Sequence, residues 1–167
     1  MTKLDVTRAH VVIDGFNVLH AVLLAADRRE AAALKSSSQD RPAPEPLNWW
    51  EHGYQRRVVA WAEALWLTVM RTRAVAGEQG LADSQPIRLT VVFDASREVT
   101  IEQRVMSERV AVVYAPSADE WIVEQCRKES VVVITADRAL VNRARMWGAR
   151  SVKPWAVNEE WGSAEPA

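Results

Sequence analysis

The stretch VVIDGFN, Val11 to Asn17, sets three β-branched residues before an aspartate, then a glycine, a phenylalanine and an asparagine. A β-branched run without polar alternation suits a strand covered on both faces, as in a parallel sheet. An acid closing such a strand is costly to bury unless something uses its charge. Three further runs share this character: IRLTVVFD (87–94), RVAVVYA (109–115) and SVVVITAD (130–137). GARSVK (148–153) is the candidate for a fifth strand.

Helical patterns separate these runs. Val58, Trp61, Ala62, Leu65, Trp66, Val69 and Met70 recur at helical spacing and predict a helix over about 49–76. AVLLAADRREAAAL (21–34) predicts another after the first strand. A third opens at SADE, where Ser117 and Glu120 have the spacing of a capping box. A fourth follows TADRAL and stops at Gly148, a natural residue just past a helix end. Strands alternating with helices predict an α/β layer fold with a mostly parallel central sheet. The segment SSSQDRPAPEPLN (36–48) reads as a mobile Ser/Pro-rich loop, and residues 155–167 as an irregular tail.

The chain has 167 residues, which reads as one domain with a full core. No apolar run approaches the roughly 20 residues of a membrane helix, and the N-terminus lacks the apolar core of a signal peptide. The expected location is therefore cytoplasmic, without a membrane partner. The single cysteine, Cys126, excludes an internal disulfide and a cysteine-rich zinc site, and its place in WIVEQC predicts core filling. Eight tryptophans are many for this length. Trp61 and Trp66 fit an apolar helix face, whereas Trp49, Trp50, Trp155 and Trp161 lie near segment ends, as plugs, lids or base-stacking platforms.

On this frame the acids share one edge. Asp14 closes the first strand and Asp94 the second. Asp137 follows the fourth, and Asp119 and Glu120 open the helix after the third. In a parallel sheet these are all carboxyl-edge positions, outside which open α/β sheets bind their ligands. Each acid has an ordinary explanation alone, since carboxylates favour helix N-termini. Together they are harder to explain that way. Two carboxylates about 4 Å apart repel by about 4 kcal/mol at an effective dielectric of about 20. A hard divalent cation, Mg²⁺ or Mn²⁺, relieves such repulsion with oxygen ligands and retained waters. His10, His20 and His52 show no ligand spacing.

IDGFN, VVFDA, SADE and VITADR, in that order, resemble the NYN domains of the PIN-like nuclease superfamily, closest to the YacP-like bacterial ribonucleases. The resemblance covers about residues 10–153. It implies a PIN-like, Rossmann-like three-layer fold and metal-dependent cleavage of RNA, with endonucleolytic cutting. By position it makes Asp14, Asp94, Asp119 and Asp137 the catalytic metal-site acids, with Glu120 a further ligand candidate and Asn17 positioning a water or phosphate. Ser117 stands where many relatives have threonine, and either residue caps the helix.

Setting aside the five clustered acids leaves 17 acids against 21 lysines and arginines, a remainder of +4 under a net charge of −1. Arg97, Arg104 and Arg109, after Asp94, and Arg138, after Asp137, are the candidate phosphate contacts. So small a remainder predicts weak intrinsic RNA affinity. Selectivity is then expected from single-stranded bases stacked on aromatics, or from a ribosome or other partner that presents the RNA. A haloacid dehalogenase-type phosphatase would need a second aspartate at position 16, where Phe16 stands. A dinucleotide-binding turn would need more glycine than DGFNVLH contains. A PIN-like fold that binds RNA or protein without catalysis stays open beside the nuclease.

Overall fold

The computed structural model describes residues 10–35, 52–75, 88–95 and 104–157. Five strands are found, four in the valine-rich runs and the fifth in GARSVK: β1 (His10–Asp14), β2 (Arg88–Asp94), β3 (Ala111–Ala115), β4 (Val131–Ile134) and β5 (Arg150–Val152). They form one sheet in the order β3-β2-β1-β4-β5, and every pairing is parallel. β1 is therefore central. The chain builds outward on one side through β2 and β3, then crosses to the other for β4 and β5. That reversal beside β1 is the topological switch point, where the carboxyl edge opens into a crevice.

Strand alternation divides the core into two layers. Val11 and Ile13, with Leu89, Val91, Phe93, Val132 and Ile134, face α3 (His52–Val75) through Val58, Ala62, Leu65 and Val69. Val12, Val92, Val131 and Val133 face α4 (Ala118–Lys128) and α5 (Arg138–Met146) through Ile122, Cys126, Leu140 and Ala144. This is a three-layer α/β fold with both sheet faces covered. Cys126 fills core, as its apolar setting predicts. Trp61 and Trp66 pack half-buried against the α3 layer.

The first crossover corrects the sequence reading. The helix is not confined to 21–34: α1 (Gly15–Val18) starts directly after Asp14. It continues through a π-helical segment, Leu19–Leu23, into α2 (Leu24–Lys35). Gly15 is required by packing rather than by an unusual turn. Its backbone φ is not positive, but a Cβ there would lie 2.7 Å from two Phe93 ring carbons and 2.9 Å from the Val92 carbonyl oxygen. The glycine lets the helix start press against β2. Gly148, by contrast, has φ +81, the left-handed conformation that ends α5.

At α4, only the serine half of the capping box keeps its expected role. Ser117 Oγ accepts the Glu120 N–H at 3.3 Å, while the Glu120 carboxylate turns to Arg143 of α5 at 2.8 Å. The start of the expected tail is ordered too: Pro154–Ala156 forms a 3-10 turn between buried Pro154 and buried Val157. The 36–48 loop, Trp49, Trp50, Trp161 and the chain after 157 lie outside the described residues. No helix among the described residues is long and apolar enough to cross a membrane.

Candidate active site

Asp14 ends the central strand and is 8% exposed. Thr135, fully buried one residue past β4, donates its hydroxyl to Asp14 Oδ2 at 3.1 Å. The same hydroxyl accepts the Asp137 N–H at 3.1 Å, and the Thr135 N–H bonds the Val152 carbonyl of β5 at 3.2 Å. Asn17 closes the arrangement from the β1 side, its Oδ1 accepting the Ala136 N–H at 2.7 Å. The loop Thr135–Asp137 is thus held to the DGFN segment by both a side-chain hydroxyl and an amide. Asn17 therefore has a structural task, holding the Thr135–Asp137 loop to the DGFN segment.

Burial pushes the Asp14 carboxyl up from the ordinary 3.8 to about 6, opposed by the Thr135 hydroxyl and reinforced by the charges of Asp119 and Asp137. The Asn17 backbone N–H favours its ionised form slightly, without completing a helix cap. Asp119, in the first turn of α4, is also raised, first by burial and then by Asp137, with Asp94 and Glu120 adding to it and Arg143 opposing. Asp14, Asp119 and Asp137 thus lie within electrostatic reach, and Asp94, at the end of the neighbouring strand, reaches Asp119. Asp137 has its ordinary role as well: its Oδ1 caps α5, accepting from Ala139 at 2.9 Å and Leu140 at 3.3 Å.

The chemistry of this set suits a hard cation, because every donor is an oxygen and neighbouring carboxylates add to the raised proton affinity of Asp14 and Asp119. The spacing is looser than a closed shell. Among the described residues, no three acidic, histidine or cysteine side chains stand close enough to hold an ion directly.

The arginines separate. Arg138 is exposed at the first position of α5, directly after Asp137. Arg104 lies over the Tyr114 ring, 5.6 Å from its centroid, beside the carboxyl half of β3. Arg109 is not brought to the acids. It precedes β3 at the amino edge and stacks on Trp66 at 5.7 Å, because the chain must return there before running parallel to β2. Arg97 lies outside the described residues. Sequence reasoning missed two residues. Thr135 stood inside the quoted VITAD, but its role depends on β4 lying beside β1. Arg143 depends on how α5 crosses α4: it pairs with Glu120 and is the cation that offsets Asp119.

His10 lies at the opposite edge. Its ring bonds Glu129 Oε1 through Nδ1 at 2.5 Å and Thr90 Oγ1 through Nε2 at 2.6 Å, while Arg88 bonds the other Glu129 oxygen at 2.9 Å. In the neutral tautomer Nδ1–H donates and Nε2 accepts, which satisfies the buried imidazole. Burial holds its pKa below 6.5 despite Glu129. For Glu129 burial acts upward, but His10 and Arg88 together outweigh it and leave the carboxyl low.

An all-parallel three-layer sheet with acids gathered at its carboxyl edge defines a PIN-like α/β domain. The model of the YacP-like NYN domain family matches residues 67–166. That is more than half of the chain, which belongs to this family. The match takes in Asp94, Asp119, Thr135, Asp137 and Arg143. The DGFN segment precedes it, so Asp14 joins the site through the central position of β1. Membership implies a nuclease-like, RNA-related function. No curated protein and no solved structure matches the chain.

Proposed function

We propose that this protein is a metal-dependent endoribonuclease that hydrolyses phosphodiesters of single-stranded RNA. The observation that supports this reading is the placement of Asp14, Asp94, Asp119 and Asp137 at the carboxyl edge of the parallel sheet, around the switch point of a YacP-like NYN fold. Asp14 and Asp94 are the central ligands for Mg²⁺ or Mn²⁺, with Asp119 and Asp137 completing the set directly or through water and Glu120 at its rim. A divalent cation held there supplies activation of the attacking water and neutralisation of phosphate charge.

The chain's own residues do the rest. Thr135 orients the Asp14 carboxylate and fixes the Asp137 backbone, and Asn17 holds the loop between them. The Asn17 NH₂ then faces a water or phosphate oxygen. Arg138 and Arg104 meet neighbouring phosphates, positioning without reading sequence. Hydrolysis by water leaves a 5′-phosphate and a 3′-hydroxyl. The modest basic remainder makes intrinsic affinity weak, so a ribosome or other RNA-bearing partner is the proposed source of target selection.

The test is cleavage of a labelled, partly single-stranded RNA by purified protein with Mn²⁺, Mg²⁺ or EDTA, beside Asp14→Asn. Internal cuts that need the metal and disappear in Asp14→Asn support the proposal. If neither protein cuts and Mn²⁺ leaves the melting temperature of both unchanged, the noncatalytic binding module replaces it.

A further inference from the structure

We propose that Trp155 is a nucleobase-stacking platform beside the acids, taking an unpaired base of the RNA strand a few nucleotides from the scissile phosphate. The proposal rests on the nuclease reading for its substrate class. Its evidence is separate. Of the tryptophans among the described residues, Trp61, Trp66 and Trp121 pack half-buried on the core. Trp147 is exposed, but the Arg127 guanidinium lies over its ring at 5.2 Å, and it sits at the far end of α5 from the acids. Trp155 is 59% exposed and lies just past the carboxyl end of β5, on the acids' side of the sheet.

Its backbone is anchored on both sides. Pro154 before it and Val157 after it are buried, and the Ala156 N–H closes the turn on the Lys153 carbonyl at 2.9 Å. The turn packs against the π-helical segment Leu19–Leu23, which continues from the helix carrying Asn17. It also follows the Val152 carbonyl that holds Thr135, the residue bonded to Asp14. β5 lies two strand spacings from β1, about 10 Å. A few nucleotides of extended strand span that distance. A broad π-face held still costs little entropy to use, and it accepts any base, which suits a site whose charge provides little affinity.

The experiment measures binding apart from cutting. An Asp14→Asn protein is titrated into a fluorescein-labelled single-stranded RNA of about 12 nucleotides and followed by anisotropy at low salt. Adding Trp155→Ala or Trp155→Leu should weaken binding by about tenfold or more, the loss expected of one base–aromatic stack, and Trp155→Phe should recover most of it. Replacing a single nucleotide with an abasic one should reproduce the loss at one position. It should cost nothing further once Trp155 is gone. Leucine keeps the apolar volume without the π-face, and melting curves establish that each variant is folded. Equal binding by Trp155→Leu, equal losses on duplex RNA, or no binding of any single strand overturns the proposal. Failure of the wild type to cut, with the stacking pattern intact, overturns the nuclease reading and leaves the platform standing.

Discussion

Thr135 donates its hydroxyl to the Asp14 carboxylate at 3.1 Å across the β4–β1 pair, so the central acid of the site is held by a residue 121 positions away in the chain. Both groups are buried, and the same oxygen anchors the Asp137 N–H. One hydroxyl therefore sets the relative placement of two of the four acids.

Thr135→Val keeps the shape and removes the hydroxyl. It strands a carboxylate oxygen and a backbone N–H, and should cost about 1–3 kcal/mol in urea denaturation. Thr135→Ser should recover most of this. Cleavage should fall in Thr135→Val and return in Thr135→Ser. A valine variant as stable and active as the parent would remove Thr135 from the site.

The raised Asp14 makes the metal-free fold sensitive to pH. Its carboxyl binds a proton more readily in the folded chain, at about 6, than in the unfolded chain, at about 3.8. Its contribution is therefore complete below the unfolded value and is lost as pH rises through about 6, a change of about 3 kcal/mol. Asp119, also raised, acts in the same direction. In EDTA, urea melts at about pH 5 and about pH 8 should differ less for Asp14→Asn than for the wild type. Mn²⁺ at the higher pH should restore stability only to the wild type. Identical pH slopes for the two proteins would contradict the burial argument.

Gly15→Ala tests the close approach of the first helix to β2. The added methyl meets the Phe93 ring and the Val92 carbonyl at distances real Cβ atoms do not tolerate. A loss of about 1–3 kcal/mol is expected, together with reduced cleavage, because Phe93 precedes Asp94. A melting temperature equal to the wild type would mean that the helix start yields freely.

Glu129→Gln addresses the opposite edge. It weakens the bonds to buried His10 and to Arg88, and should lower stability by about 1–2 kcal/mol while leaving cleavage per folded molecule unchanged. The neutral His10 contributes stability above 6.5, which is lost as pH falls through its lowered value, opposite in sign to Asp14. Reduced cleavage by a fully folded Glu129→Gln would tie the two edges together.

Much of the fold was legible because strand and helix signals are local. The valine-rich runs marked four strands and GARSVK the fifth, SADE marked the start of α4, and Gly148 the end of α5. The first helix was placed late, since GFNVLH carries no clear periodicity and its early start depends on Gly15 fitting against Phe93. Arg109 was drawn toward the acids by its place after Asp94, but a parallel crossover returns the chain to the amino edge before β3 begins.

The order of apolar runs, with an acid closing the first two and an acid at the start of the helix after each of the next two, was enough by itself to determine a parallel α/β sheet with charge at one edge. A crossover between successive strands returns the chain to the same edge, so the strands run parallel and every strand end shares the other edge. Which side chains hold those acids was decided by the tertiary structure. Thr135 reaches Asp14 because β4 lies beside β1, Asn17 reaches Ala136 for the same reason, and Glu120 leaves its cap for Arg143 because α5 crosses α4. These contacts join residues far apart in sequence, and a hydrogen bond is set by direction and distance in space, which the closing of the sheet supplies.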